Sequence, residues 1–416
     1  MLISKTLMIF KHSCWTNKLF LTILPSNYGS TNSSAFCARY SSNFSTKAER
    51  WTRPEKSMLC YATSLAADGV RTTELTEVAV PVIARPSDVL VEVQAASINA
   101  LDVLMMRGYG HKLLSFMKNM SSFSPNCYAK ADTSQELPLI VGRDFCGVVA
   151  GLGGGVQGLQ LGQRVMGVVE PMHPGCHAQY VLVDQNNVVP APSHLSAPEV
   201  AAVPYCALTA YSAAGRHCST SGPRGRVLVA GASGGVGLLL VQMLRAWGAH
   251  VAGVCSADAF DLLTSLGITE LYDYSDPHAL RELFADKSFD LVVDGSGCAD
   301  LPYVDALKRH AGAVYVTLTL PLLPDVDRHG VVLGAAKSGF NLLAKNRESA
   351  REGRIVKWGL FRSSRSALQH VADMLQNKQL TPVLDKVFPW GEAKEAYKHM
   401  EGGRHRGKTV IHLTND

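Results

Sequence analysis

Val227-Leu228-Val229-Ala230-Gly231-Ala232-Ser233-Gly234-Gly235-Val236-Gly237 is a short apolar run that passes straight into glycines and then into a second apolar stretch reaching Trp247. The order predicts a buried strand, a tight loop and a helix from Val236 to Trp247. Each glycine has a physical role in such a unit. Gly231 permits the turn, Gly234 lets backbone approach an anion, and Gly237 lets the helix pack closely on its strand, so that the helix N-terminus faces the pyrophosphate of a dinucleotide. Ser233, Gly235 and Val236 complete the loop as candidate cofactor contacts. The alternative is a strand-turn-helix with no ligand.

Downstream the pattern repeats. His250 to Cys255 reads as a strand, Ala259 to Leu266 as a helix, and Leu291 to Asp294 and Ala313 to Leu318 as strands. Strands alternating with helices at this spacing predict a doubly wound parallel sheet, a Rossmann unit assigned to residues 199–377. It opens on a helical stretch from Glu199 to Ala214 and closes on a helix from Ser366 to Gln376.

The preceding region has a different texture. Glu74 to Val93, Gly142 to Val169 and Gln179 to Pro190 are extended, β-branched segments punctuated by glycines, and predict a β-rich lobe over residues 60–198. Extended text returns at Val383 to Phe388 and Thr409 to Leu413, so residues 378–416 are expected to complete this lobe. His111 to Glu136 lacks periodicity and is read as an insertion or mobile loop.

The totals fit two lobes and a leader. The chain has 416 residues, 47% hydrophobic and 18% charged, a globular balance long enough for two cores. The formal charge of +5 is carried by Lys5, Lys11, Lys18, Arg39 and Lys47, which all precede the first acid, Glu49; without residues 1–48 the charge is nil. Nucleic acid is therefore not an expected partner. That acid-free, Ser- and Thr-rich leader has the composition of a mitochondrial transit peptide, with cleavage expected between Tyr40 and Lys47 and a disordered tail as the alternative. The apolar patch Leu19 to Leu24 is too short to span a bilayer, and no later uncharged run is long enough. Ten cysteines without a C-x-x-C pair predict reduced thiols rather than a disulfide framework or zinc knuckle.

The second strand decides which dinucleotide is bound. An acid at its end would pair with the ribose hydroxyls of NAD; here it ends Val254-Cys255-Ser256. Ser256 removes that carboxylate and offers a hydroxyl to a 2′-phosphate, which predicts NADPH. Against this, Asp258 lies two residues on and no Lys or Arg follows closely. Ser256 also reads as a helix N-cap.

With these residues in view, the chain resembles the quinone oxidoreductase branch of the medium-chain dehydrogenase/reductase superfamily from about Arg71 to its end. The carrying segments are Ala96-Ser97-Ile98-Asn99-Ala100-Leu101-Asp102, Arg107-Gly108-Tyr109-Gly110, Gly142-Arg143-Asp144-Phe145-Cys146-Gly147-Val148-Val149, Pro204-Tyr205-Cys206-Ala207-Leu208-Thr209-Ala210 and Gly403-Arg404-His405-Arg406-Gly407-Lys408-Thr409-Val410-Ile411. The resemblance implies an α/β protein with a GroES-like β-rich catalytic domain and a Rossmann domain, the site lying between them. Zinc-dependent members of the superfamily carry a cysteine near the Asn99 region and Gly-His-Glu where this chain has Gly142-Arg143-Asp144. Arginine cannot ligate a cation and asparagine is a poor zinc ligand, so no metal is expected; His173 and His177 lack a third ligand.

What the resemblance implies is NADPH-dependent reduction of a quinone or related α,β-unsaturated carbonyl, in the mitochondrial matrix, in ubiquinone metabolism and respiratory support. Asn99, Tyr109 and Thr209 are implied near the reacting groups, the plain alternatives being a turn, loop packing and a backbone-satisfied helix residue. Tyr274, Phe361, Arg406, Gly407 and Lys408 are implied to reach the cofactor or its cleft. A mitochondrial protein or membrane-surface partner and a homodimer are compatible with the same reading. Rival readings are an NADPH-binding interaction protein without turnover and a zinc-free enoyl-thioester reductase.

Overall fold

The computed structural model describes residues 57–65, 71–120, 138–218, 225–297, 302–309, 312–403 and 405–413. The leader with its cleavage window, and most of the insertion, lie outside these residues.

Two strands open the described chain, β1 (Ser57–Leu65) and β2 (Arg71–Ala79), which pair antiparallel. β3 (Asp88–Ile98) is followed by helices α1 (Ala100–Met106) and α2 (His111–Met120). Strands β4 (Leu139–Ile140), β5 (Asp144–Leu152), β6 (Arg164–Val168), β7 (Tyr180–Asp184) and β8 (Val188–Pro190) complete the N-terminal lobe. β4 pairs with β1 in a three-stranded sheet. The main sheet runs β15-β16-β3-β5-β6-β8 with β7 also on β3, where β15 (Leu384–Pro389) and β16 (Lys408–His412) come from the end of the chain. β16 lies antiparallel to β3, with Thr409 opposite Ile98. This pairing is what carries the last residues of the chain to the Asn99 segment.

The middle of the chain forms a six-stranded parallel sheet in the order β11-β10-β9-β12-β13-β14. Its strands are β9 (Arg226–Ala230), β10 (His250–Cys255), β11 (Glu270–Asp273), β12 (Leu291–Asp294), β13 (Ala313–Thr317) and β14 (Arg354–Trp358). The order reverses between β9 and β12, which places a ligand crevice at their carboxyl ends. Helices α3 (Ala197–Ala201), α4 (Pro204–Cys218), α5 (Gly235–Ala246), α6 (Phe260–Ser265), α7 (Pro277–Asp286), α8 (Leu322–His329), α9 (Val331–Ala350), α10 (Arg365–Gln376) and α11 (Ala393–Glu401) fill the rest. One apolar cluster runs from Met166 and Val168 through Val203 and Leu208 to Leu240 and Val293, so the two lobes share a core across α3 and α4. Full burial of a Leu or Val side chain contributes about 1.5–3 kcal/mol, which makes this seam a firm base for a cleft.

Three expectations change in the structure. The stretch Glu199 to Ala214 is two helices, because Pro204 has no N–H to continue the first and starts the second. His111 to Met120 is a helix rather than part of a loop. Its N-terminal backbone is capped from far away: Gly110 N and Lys112 N donate to the carboxylate of Asp327 on α8 at 2.5 and 3.1 Å. Finally, 321–358, read without regular elements after β13, holds α8, α9 and β14. The outer edge of β14 is covered locally, where the Asn346 side chain donates to Val356 O and accepts from Val356 N, both at 2.9 Å.

Candidate active site between the lobes

Gly231 has φ +78°, a conformation that L side chains rarely adopt, and its N–H is held by Val254 O at 3.0 Å. A Cβ on Gly237 would stand 2.2 Å from Gly231 O, so only glycine lets α5 sit this close to β9. A Cβ on Gly234 would meet nothing nearer than Gly231 O at 3.4 Å, so the outer side of the loop is open. Gly234 is the N-cap of α5 and supplies no side chain to the first-turn N–H groups. Unsatisfied donors, an open approach and a helix N-terminus together fit a dinucleotide pyrophosphate.

Beneath this loop lies a buried polar cluster. Lys408 enters from β16, its stem passing under the start of α5, where a Cβ on Gly235 would be 2.9 Å from Lys408 Cδ. Its ammonium donates to Asn99 Oδ1 at 2.6 Å and to Ile98 O at 3.1 Å, and lies 3.9 Å from Asp144 Oδ2. Asn99 Nδ2 donates to Asp144 Oδ1 at 3.2 Å, Cys206 Sγ donates to Asn99 Oδ1 at 3.5 Å, and Asn99 N donates to Asp102 at 2.8 Å. Asn99 thus starts α1 with its backbone, as a turn residue would, while its side chain belongs to the cluster. Asp144 also accepts from Ser97 Oγ and, at 3.3 Å, from Tyr205 N. Burial raises its carboxyl pKa overall, against the opposing pull of Lys408 and Ser97. Every contact it makes is to a donor, which suits the anion. Burial alone would lower the Lys408 ammonium pKa, but Asp144, Cys206 and Asp102 outweigh it and the shift is upward.

Arg143 is fully buried beside this cluster. Its guanidinium donates to Glu170 O at 3.1 Å and His173 O at 2.8 Å, with Nε 3.5 Å from Asp102 Oδ1. Asp102 thus already faces the Arg143 guanidinium, and Asp144 the Lys408 ammonium and the Asn99 amide, a poor environment for a dication. His177 is turned away into a contact with Tyr397 OH and, at 3.1 Å, Ser97 O, while His173 lies 3.6 Å from Glu170. No three His, Cys, Asp or Glu side chains are gathered as a metal site among the described residues.

At the carboxyl end of β10, Arg406 Nη2 donates to Ser256 Oγ at 3.2 Å and pairs with the Asp258 carboxylate. No basic residue follows Ser256 closely in the sequence; fold topology supplies one from 150 residues away. Ser256 precedes a short 3-10 turn without capping it through its side chain. The Asp258 carboxyl is held below its ordinary pKa by hydrogen bonds from Ser256 and then Arg406. Arg406 is anchored through its own N–H to Asp385 at 3.1 Å. Tyr274, half exposed, stands just past β11 with its N–H on Cys255 O at 3.2 Å, on the same side of the sheet end.

Of the other candidates, Thr209 and Phe361 both meet Tyr205, whose N–H is on Asp144, Gly407 adjoins Lys408, and Tyr109 stands apart. Tyr109 OH donates to Leu320 O at 3.3 Å, so this residue spans the cleft mouth between α1 and the segment after β13; burial, then Asp327, raises its phenol pKa. Thr209 is buried and donates to Tyr205 O at 2.8 Å, one turn back in α4. Phe361 stacks on Tyr205 with ring centroids 4.4 Å apart. Gly407, at φ +94°, leaves no room for a side chain against Val383 O. Asp144 and Cys206, to which the sequence alone assigns no role, are part of the cluster. Their only sequence signal is adjacency to Arg143 and Tyr205.

Residues 85–193 match the family described as alcohol dehydrogenase GroES-like domain, and residues 266–411 match zinc-binding dehydrogenase. The mitochondrial NAD(P)H oxidoreductase RTN4IP1 of Mus musculus is 36% identical over 337 residues, which cover 80% of this chain and 83% of that one. Reticulon-4-interacting protein 1, mitochondrial, of Caenorhabditis elegans is 34% identical over 342 residues, 81% of this chain and 91% of that one. In fold, the quinone oxidoreductase from Coxiella burnetii superposes with a TM-score of 0.67 at 23% identity, covering 86% of this chain and all of its own, 100%.

Proposed function

Because the chain belongs to the medium-chain dehydrogenase/reductase superfamily, in the family of the mitochondrial NAD(P)H oxidoreductases named RTN4IP1, we propose that it uses NADPH to reduce a quinone or related α,β-unsaturated carbonyl without a metal. The observation that carries this reading is Lys408, a buried cation locked onto Asn99 and Asp144 directly beneath the glycine loop. When bound, a reduced nicotinamide supplies hydride. The chain's own residues then have to polarise the acceptor oxygen and keep water out. Asn99 is suited to polarising the oxygen, since Lys408 fixes its Oδ1 and Asp144 one Nδ2 hydrogen, leaving the second Nδ2 hydrogen to donate. Lys408 adds a fixed positive charge in a dry site, where such a charge acts strongly. The stacked Tyr205 and Phe361 offer apolar wall to a flat ring.

Although one matched family is described as zinc-binding, Arg143 and Lys408 stand among the side chains where a dication would need ligands, and no step runs through a metal. The Arg406–Ser256 contact supports the NADPH reading, since a guanidinium and a hydroxyl together at the carboxyl end of β10 suit a 2′-phosphate. The mitochondrial names of the relatives and the acid-free leader support a mitochondrial setting, for which we assign the matrix and ubiquinone metabolism. An acceptor screen tests the reading. NADPH oxidation with quinones, abolished by Gly234→Asp, is expected. Turnover confined to enoyl thioesters, or tight NADPH binding with no turnover on any acceptor, would replace it.

A further inference from the structure

α9 packs against β14 on one side through Asn346, yet its outer side is bare: Val332 is 80% exposed, Leu333 68%, Phe340 72% and Leu343 57%. At about 100° per residue, Val332, Leu343, Ala336, Phe340, Leu333 and Ala344 fall in one arc of roughly 120°, so the apolar side chains form a stripe and are not scattered. A stripe of this kind marks an interaction face. Its charge is basic: Arg347 lies within the arc, Arg351 follows exposed at the same end, and Glu348 is the acid beside them.

We propose that α9 lies along an anionic phospholipid surface, its apolar stripe among the acyl chains and Arg347 and Arg351 at the phosphates. The combination of an exposed apolar arc with basic residues on a helix too polar to cross a bilayer is that of an interfacial helix. Strand addition beside it at Val356 is blocked by Asn346. The position also serves the substrate class, and here the inference rests on the quinone reading. α8 and α9 continue from Leu320, which accepts from Tyr109 at the cleft mouth, and α2, with exposed Phe116, is tied to α8 through Asp327. An acceptor dissolved in the bilayer would thus meet the cleft at the membrane surface.

The test is co-sedimentation of the purified chain, without its leader, with phosphatidylcholine vesicles and with vesicles of phosphatidylcholine and phosphatidylglycerol. Binding to the anionic vesicles, weakened by salt, is expected. A basic residue near such a surface contributes about fivefold in partitioning, so Arg347→Glu together with Arg351→Glu should lower binding at least tenfold. Leu333→Asp with Phe340→Asp should abolish it. These exposed positions leave the core untouched, so NADPH binding and turnover of a water-soluble short-chain quinone should be unchanged, which separates this proposal from the catalytic one. Absence of vesicle binding, binding that the variants do not alter, or self-association that Phe340→Asp dissolves in place of vesicle binding would overturn it.

Discussion

Removal of the Arg406 guanidinium should convert a cofactor-selective site into an indifferent one. In the structure this group donates to Ser256 at the end of β10 and pairs with Asp258, which is 72% exposed and free to turn into water when a phosphate arrives. A hydrogen bond to a charged group contributes ~1.5–3 kcal/mol, so Arg406→Gln is expected to weaken NADPH about 10- to 150-fold. Asp258, left without its cation, would then repel the phosphate and add to the loss. NADH has no 2′-phosphate and should bind as before. Asp258→Asn should act in the opposite sense and tighten NADPH, because Arg406 is no longer shared. Fluorescence titration of both reduced cofactors against the three proteins reads these differences directly. Equal weakening of NADH and NADPH in Arg406→Gln, or unchanged NADPH affinity, would show that the guanidinium does not meet the 2′-phosphate.

Ser256→Glu places a carboxylate where ribose hydroxyls would be recognised and should reverse the preference toward NADH, as measured by the ratio of the two dissociation constants; an unchanged ratio would refute the assignment of the β10 terminus. Lys408→Met leaves Asp144 a buried anion without its cation. Loss of one partner of a buried pair costs about 3–5 kcal/mol, so the urea unfolding midpoint should fall, and turnover should fall further than NADPH affinity. A variant with unaltered stability and rate would remove Lys408 from the account.

Much of the architecture is legible in the sequence because its signals are local. The run from Val227 to Gly237 carries its own strand, loop and helix, and the strands His250 to Cys255 and Leu291 to Asp294 fall on the residues that their apolar runs mark. What escapes a sequence reading depends on partners distant along the chain. α2 is capped by Asp327, which no window around His111 contains. α9 carries an apolar arc that faces outward, so it lacks the inward amphipathic pattern that marks a packed surface helix. In the site, the sequence names Asn99, Arg406 and Lys408 but not their meeting: the antiparallel pairing of β16 with β3 sets Lys408 against Asn99, 309 residues away, and the same turn of chain delivers Arg406 to Ser256. Tyr109 and Thr209 are expected near the reacting groups, and the structure adds what no sequence window shows, that their hydroxyls donate to Leu320 O and Tyr205 O.

The central claim is reduction of a quinone by NADPH through a polar cluster that needs no metal. Its most direct test is the steady-state rate of NADPH oxidation with a water-soluble quinone, measured on protein stripped of metal by chelation and verified by elemental analysis. The account predicts full activity after stripping, no stimulation by added zinc, and a rate with NADPH well above that with NADH at low cofactor concentration. One zinc per chain, with activity lost on chelation and restored by zinc, would contradict it.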